Sequence, residues 1–92
     1  MNSRTTERFR KALAALPAEI QDKAFEAYAT FRRDASHPSL RFKQVHPSRP
    51  IFSVRITRDY RALAVLNQDG DEDLVWFWIG THAEYDHLLR QL

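Results

Sequence analysis

Arg55, Arg61 and His82 are the side chains of this 92-residue chain best suited to chemistry at phosphorus. Guanidinium groups stabilise charge that builds on phosphate oxygens, and an imidazole moves a proton near neutral pH. The two arginines stand in Ile51-Phe52-Ser53-Val54-Arg55-Ile56-Thr57-Arg58-Asp59-Tyr60-Arg61, which reads as a strand, a tight turn and a second strand. Alternation puts Phe52, Val54 and Ile56 on one face and Ser53, Arg55 and Thr57 on the other. If Thr57-Arg58-Asp59 is the loop, Arg55 lies directly across from Arg61. Like charges so placed destabilise by about 0.2–1 kcal/mol, which invites an anion between or above them. An even-numbered loop would send the two to opposite faces.

His82 falls in Thr81-His82-Ala83-Glu84, a capping box that starts a helix. Free N–H groups and the positive end of the helix dipole there also favour an anion. The plainer alternative is an exposed first-turn histidine without a task. Tyr85 is a further candidate, although Tyr85, Leu88, Leu89 and Leu92 share helical spacing and read equally as a core stripe. No metal site is visible: the histidines are 37, 46, 82 and 87, there is no cysteine, and no His-Glu-x-x-His pattern occurs. No cofactor is implied, since the only glycines, Gly70 and Gly80, make no phosphate-binding loop.

Charge is uneven along the chain. Residues 32–61 hold eight basic and two acidic residues, net +6, whereas the rest hold six basic and ten acidic, net −4. A basic middle is the footprint of a polyanion binder, or equally of a sheet edge guarded by charge. Arg41, Lys43, Arg49 and Arg58 are its further anion-binding candidates, which become RNA-binding candidates on the resemblance given below. Composition, 43% hydrophobic and 28% charged, is that of one globular domain over residues 1–92. No run approaches a membrane span, and Met1-Asn2-Ser3-Arg4-Thr5-Thr6 has no apolar signal region, so a soluble cytoplasmic protein is expected.

The elements that must hold these residues follow from periodicity. Phe9, Ala12, Leu13 and Leu16 predict a helix over residues 6–16. Pro17 breaks it, and Ile20, Ala24, Ala27, Tyr28 and Phe31 continue a second helix to about Arg33. Residues 40–45 alternate like a half-buried strand. Two more strands come from the arginine hairpin, and Asp69-Gly70 is a hairpin signal leading into Leu74-Val75-Trp76-Phe77-Trp78-Ile79. That strand is apolar on both faces and so belongs inside the sheet. The fold class is α+β: an N-terminal helical hairpin, a four-stranded mainly antiparallel sheet and a C-terminal helix.

Ser53 to Arg61, the Asp-Gly hairpin, the aromatic strand and Ile79-Gly80-Thr81-His82-Ala83-Glu84-Tyr85 together resemble the RelE/ParE superfamily of bacterial type II toxin–antitoxin toxins, over nearly the whole chain. The resemblance implies the same fold and a small antitoxin protein as partner. It also implies one of two activities, ribosome-dependent endoribonuclease (mRNA interferase) action that inhibits translation, or binding and inhibition of DNA gyrase. A weakly active, antitoxin-holding relative is the third possibility. In the RNA-cleaving members the 2′-hydroxyl attacks the adjacent phosphate without a metal and leaves a 2′,3′-cyclic phosphate. Partners would then be mRNA in the ribosomal A site and ribosomal RNA. On this likeness Arg55, Arg61, His82 and Tyr85 are the catalytic set, with Tyr85 stacking on a base or supporting the transition state. Some RNA-cleaving members carry a lysine at the place of Ser53, and others a glutamate where this chain has Gln44.

Overall fold

Thr6 starts the first helix as its sequence predicts. Its hydroxyl accepts the Phe9 N–H at 3.0 Å, and α1 (Glu7–Ala14) buries Phe9 with Ala12 and Leu13 beside it. Pro17 then precedes α2 (Ala18–Arg33), and Gln21 Nε2 donates to the carbonyls of Ala14 and Leu16 across the bend. α2 buries Ala24, Ala27 and Phe31; Tyr28, on the same predicted stripe, is 39% exposed. The computed structural model describes residues 2–67 and 73–92, so the Asp69-Gly70 hairpin lies outside the described residues.

The described strands are β1 (Asn2–Thr5), β2 (Lys43–Gln44), β3 (Ile51–Thr57), β4 (Tyr60–Asn67) and β5 (Asp73–Thr81), in the order β1-β5-β4-β3-β2. β1 runs parallel to β5 and the other pairs are antiparallel. The α+β expectation holds, but the sheet has five strands and not four. β1 is invisible to periodicity because Asn2-Ser3-Arg4-Thr5 is a polar, largely exposed edge, which needs no apolar alternation. The strand predicted over residues 40–45 shrinks to β2. Pro38–Leu40 is a 3-10 turn and Arg41 has φ 47°, so extended pairing starts only at Lys43. Leu40 and Phe42 are apolar for another reason: Leu40 is fully buried and Phe42 stacks on Phe52 at 5.1 Å.

β5 lies inside the sheet, as its two apolar faces require. Leu74, Trp76 and Ile79 pack with Phe9, Ala24, Phe31 and Val54 under α1 and α2. Phe77 and Trp78 pack on the other face with Ile51, Leu63 and Tyr85 of α3 (His82–Gln91). Residues three apart share a face because Leu63 pairs with Trp78 and Ala64 with Trp76, which leaves Phe77 as a bulge. α3 begins at the predicted capping box: Thr81 Oγ1 accepts the Glu84 N–H, and Glu84 Oε1 accepts the Thr81 N–H at 3.0 Å. Its stripe frays outward, since Tyr85 is buried, Leu88 and Leu89 partly so, and Leu92 is 42% exposed.

Candidate functional site

Arg55 and Arg61 are opposite each other across β3 and β4, on the face covered by α3. The turn itself has only two residues, Arg58 and Asp59, between the Thr57–Tyr60 pair. A bulge at Ile56 restores the alignment that a three-residue loop would have given. Arg61 Nη1 donates to the carbonyls of Thr57 at 2.6 Å, Tyr60 at 3.0 Å and Arg58 at 3.2 Å, which anchors the guanidinium to the turn. Burial, then Arg55, and less strongly Arg41, hold Arg61 below its ordinary value, while Tyr85 and Asp86 act the other way. It stays charged at neutral pH. Among the described residues neither Arg55 nor Arg61 forms an ion pair. Gly80 stands across from Arg61 on β5, where any Cβ would meet the Trp78 ring at 2.7 Å. The site therefore opens onto α3 with no side chain at that place.

The first turn of α3 supplies the remaining groups. The His82 N–H donates to the Asp59 carbonyl at 2.7 Å, tying the helix start to the β3–β4 turn. His82 Nδ1 meets Asp86 Oδ2 at 3.1 Å, and its ring lies edge-on to Tyr85 with centroids 5.8 Å apart. Tyr85 is 6% exposed and its hydroxyl donates to Ser53 Oγ at 3.3 Å; Ser53 is 3% exposed. The geometry thus favours the core side of the Tyr85 alternative. The Tyr85 ring packs beside His82 and its hydroxyl is turned to Ser53. Ser53 is a small polar group set in Phe52-Ser53-Val54, and its partner 32 positions on is not visible locally.

The other basic candidates divide. Arg41 is exposed and close enough to Arg61 to act on it. Lys43 pairs with Ser53 at the sheet edge, on the same face, and Arg58 is exposed in the turn. Arg49 precedes β3, at the far end of that strand from Arg55, since the rise from Ile51 to Arg55 alone is about 13 Å; its carbonyl accepts from Gln44, next to Lys43. Gln44 is occupied, its Nε2 donating to the carbonyls of His46 and Arg49 to close the β2–β3 turn. On the opposite face, α1, α2 and the sheet leave an apolar cleft of about 300 Å³. Phe25, 60% exposed, and Tyr28 line it, Arg4 stands at its wall, and Arg32 lies over the Tyr28 ring at 6.0 Å.

A basic cross-strand pair beside a capped helix, on this sheet order, defines a class. The profile of the ParE-like toxin domain matches residues 18–87, and the chain belongs to the RelE/ParE superfamily of toxins from toxin–antitoxin systems. Solved structures share the fold. The RelB–RelE antitoxin–toxin complex from Methanococcus jannaschii matches at TM-score 0.67 and 16% identity, over 90% of this chain and 95% of that one. The YoeB/ParE toxin from Agrobacterium tumefaciens gives 0.68 at 15%, over 89% and 99%. YafQ from E. coli strain BL21(DE3) gives 0.68 at 13%, over 91% and 96%. No curated protein matches the sequence.

Proposed function

We propose that this toxin is a metal-independent, ribosome-dependent mRNA endoribonuclease. The observation that carries the proposal is the unpaired Arg55–Arg61 row, with Arg41 at its edge and His82 held beside it. Such a row lacks only an anion, and the scissile phosphate of RNA is one. The 2′-oxygen bonds to phosphorus as its proton leaves, and the bond from phosphorus to the 5′-oxygen breaks. That oxygen takes up a proton, leaving a 2′,3′-cyclic phosphate and a 5′-hydroxyl. Arg55 and Arg61 stabilise the pentacovalent phosphate, His82 handles the proton at one oxygen and water at the other. Arg41, Lys43 and Arg58 hold flanking phosphates. The reaction belongs in the cytoplasm, where ribosomes work.

Translation of a reporter mRNA with the purified protein, mapped by primer extension, tests this. Codon-phased cuts lost in Arg61→Ala and His82→Ala are the expected result; cuts that persist in both overturn the site. Gyrase inhibition is the second reading, favoured by the ParE-like profile and by neutral Ser53 and Gln44 at the places of a lysine and a glutamate in RNA-cleaving members. Loss of supercoiling without any cuts would establish it instead.

An antitoxin is the partner that toxin family membership supports. We assign it the apolar cleft between α1, α2 and the sheet. Among the described residues no carboxylate lines the cleft; Arg4 at its wall is paired with Asp73 at 2.9 Å, whereas Arg32, over the Tyr28 ring, is in no ion pair, so the fitting occupant is an apolar segment with an acidic flank that meets Arg32.

A further inference from the structure

We propose that Asp86 is the positioning residue of His82, holding a proton on Nδ1 so that all proton transfer runs through Nε2; this rests on the nuclease reading above. A carboxylate can only accept, and Asp86 Oδ2 lies 3.1 Å from Nδ1. A neutral imidazole has one N–H, so this contact puts the proton on Nδ1 and the lone pair on Nε2. Nε2 has no protein partner among the described residues. Two contacts orient the ring: it rests edge-on to the buried Tyr85, and Asp86 takes Nδ1. The backbone N–H, bonded to the Asp59 carbonyl, anchors the start of the helix.

Other histidines of the chain provide an internal contrast. His46 Nδ1 accepts the backbone N–H groups of Arg49 at 2.9 Å and Ser48 at 3.2 Å, and its Nε2 faces the Leu92 carbonyl at 3.1 Å. His37 Nδ1 accepts the Ser39 N–H at 3.2 Å. A backbone N–H can only donate, so both rings carry their neutral proton on Nε2. His82 takes the opposite tautomer because its Nδ1 faces a carboxylate. An exposed pair four residues apart adds little to a helix, so Asp86 matters through the ring and not through stability. The charged residues on the elements packed against the start of α3 are Arg61 on β4, which pairs with Gly80 two residues before His82, Arg55 across from it on β3, and Asp59 in the turn, whose carbonyl takes the His82 N–H. Asp86 also acts weakly on Arg61, raising its pKa against the larger effect of burial.

The test pairs a spectroscopic readout with cleavage. Long-range ¹H–¹⁵N spectra of the RNA-free protein at about pH 8, above the ordinary titration range of imidazole, report each tautomer. His82 is expected as Nδ1–H, with His37 and His46 as Nε2–H. Asp86→Asn, whose amide can also donate, should mix the His82 tautomers and reduce codon-phased cleavage at least about 10-fold, a part of the roughly 10²–10⁴-fold that a positioned general acid–base contributes. Asp86→Glu should restore both. Wild-type His82 found as Nε2–H, or Asp86→Asn cutting at the wild-type rate, overturns this role and leaves the nuclease reading intact. A wild-type protein that cuts nothing overturns that reading and this role with it.

Discussion

Replacing Arg55 with Gln should make the free protein more stable and its anion complex less so. Gln keeps much of the aliphatic stem, so the change isolates the charge. Arg55 and Arg61 are cross-strand neighbours, both half-buried, with no carboxylate paired to either among the described residues. Cross-strand pairs are worth about 0.2–1 kcal/mol, and partial exposure puts this repulsion near ~0.5 kcal/mol. On a domain of this size that is about 2–4 °C in Tm. An anion that binds only the wild-type row reverses the order. At ten times its Kd it contributes about 1.4 kcal/mol, so the wild type should then lead by about 0.9 kcal/mol, with crossover slightly above Kd. Urea denaturation with sulfate, at constant ionic strength, reads both numbers. Raising NaCl from 0.1 to 1 M shortens the screening length from about 10 to 3 Å and should close the gap without sulfate. If Arg55→Gln is the less stable protein at low salt, the arginines do not repel. If sulfate favours both proteins equally, the row is not an anion site.

Tyr85→Phe should cost about 1 kcal/mol, because it leaves the buried Ser53 hydroxyl without its donor, and adding Ser53→Ala should recover part of it in a urea double-mutant cycle. Thr81→Ala should cost about 1 kcal/mol and helical circular dichroism, since the hydroxyl that accepts the Glu84 N–H is gone. Hydrogen bonds from the Thr81 backbone and hydroxyl hold the Glu84 carboxyl below its ordinary value of 4.5. A depressed carboxyl stabilises above its unfolded pKa and loses that contribution as pH falls through the folded one. The wild type's advantage over Glu84→Ala should therefore be constant above about pH 4.5 and shrink below it. Phe25→Ser, at a 60% exposed position, should leave stability within about 0.5 kcal/mol yet weaken antitoxin binding measured by calorimetry. Unchanged binding would remove the cleft from the interface.

Local chemistry made several elements legible in advance. The stripe through Phe9 and Leu13, the break at Pro17, the capping box at Thr81 and the two-faced apolar run of β5 each answer to one nearby cause, and each stands where it was expected. What escaped has a non-local or negative cause. β1 is polar because it is an edge, and its pairing with β5 joins residues some seventy positions apart. Leu40 and Phe42 imitate strand alternation while serving the core around a 3-10 turn and a left-handed Arg41. Arg49 is basic like its neighbours, but the length of β3 separates it from Arg55 and Arg61. Tyr85 lies on a core stripe and within the resemblance at once; its burial and its bond to Ser53, 32 positions away, are non-local and could not be read from spacing.

Two bulges explain why the site exists at all. With only Arg58 and Asp59 in the turn, regular pairing would set Arg61 against Ile56, and the two would share a face. Ile56 belongs to the apolar face under α1 and α2, so Arg61 would be driven into the core or Ile56 out of it. The extra residue at Ile56 removes the conflict and puts Arg61 beside Arg55 on the α3 face. The bulge at Phe77 does the same on β5: it lets Trp76 and Ile79 share the core face, and so brings Gly80, the one residue type tolerated beneath the Trp78 ring, opposite Arg61. Either strand in perfect register would bury a cation or block it. Two irregularities that align like charges beside a helix N-terminus run against the stability of the free sheet, and the nuclease reading proposed above accounts for them with an anion held between those charges.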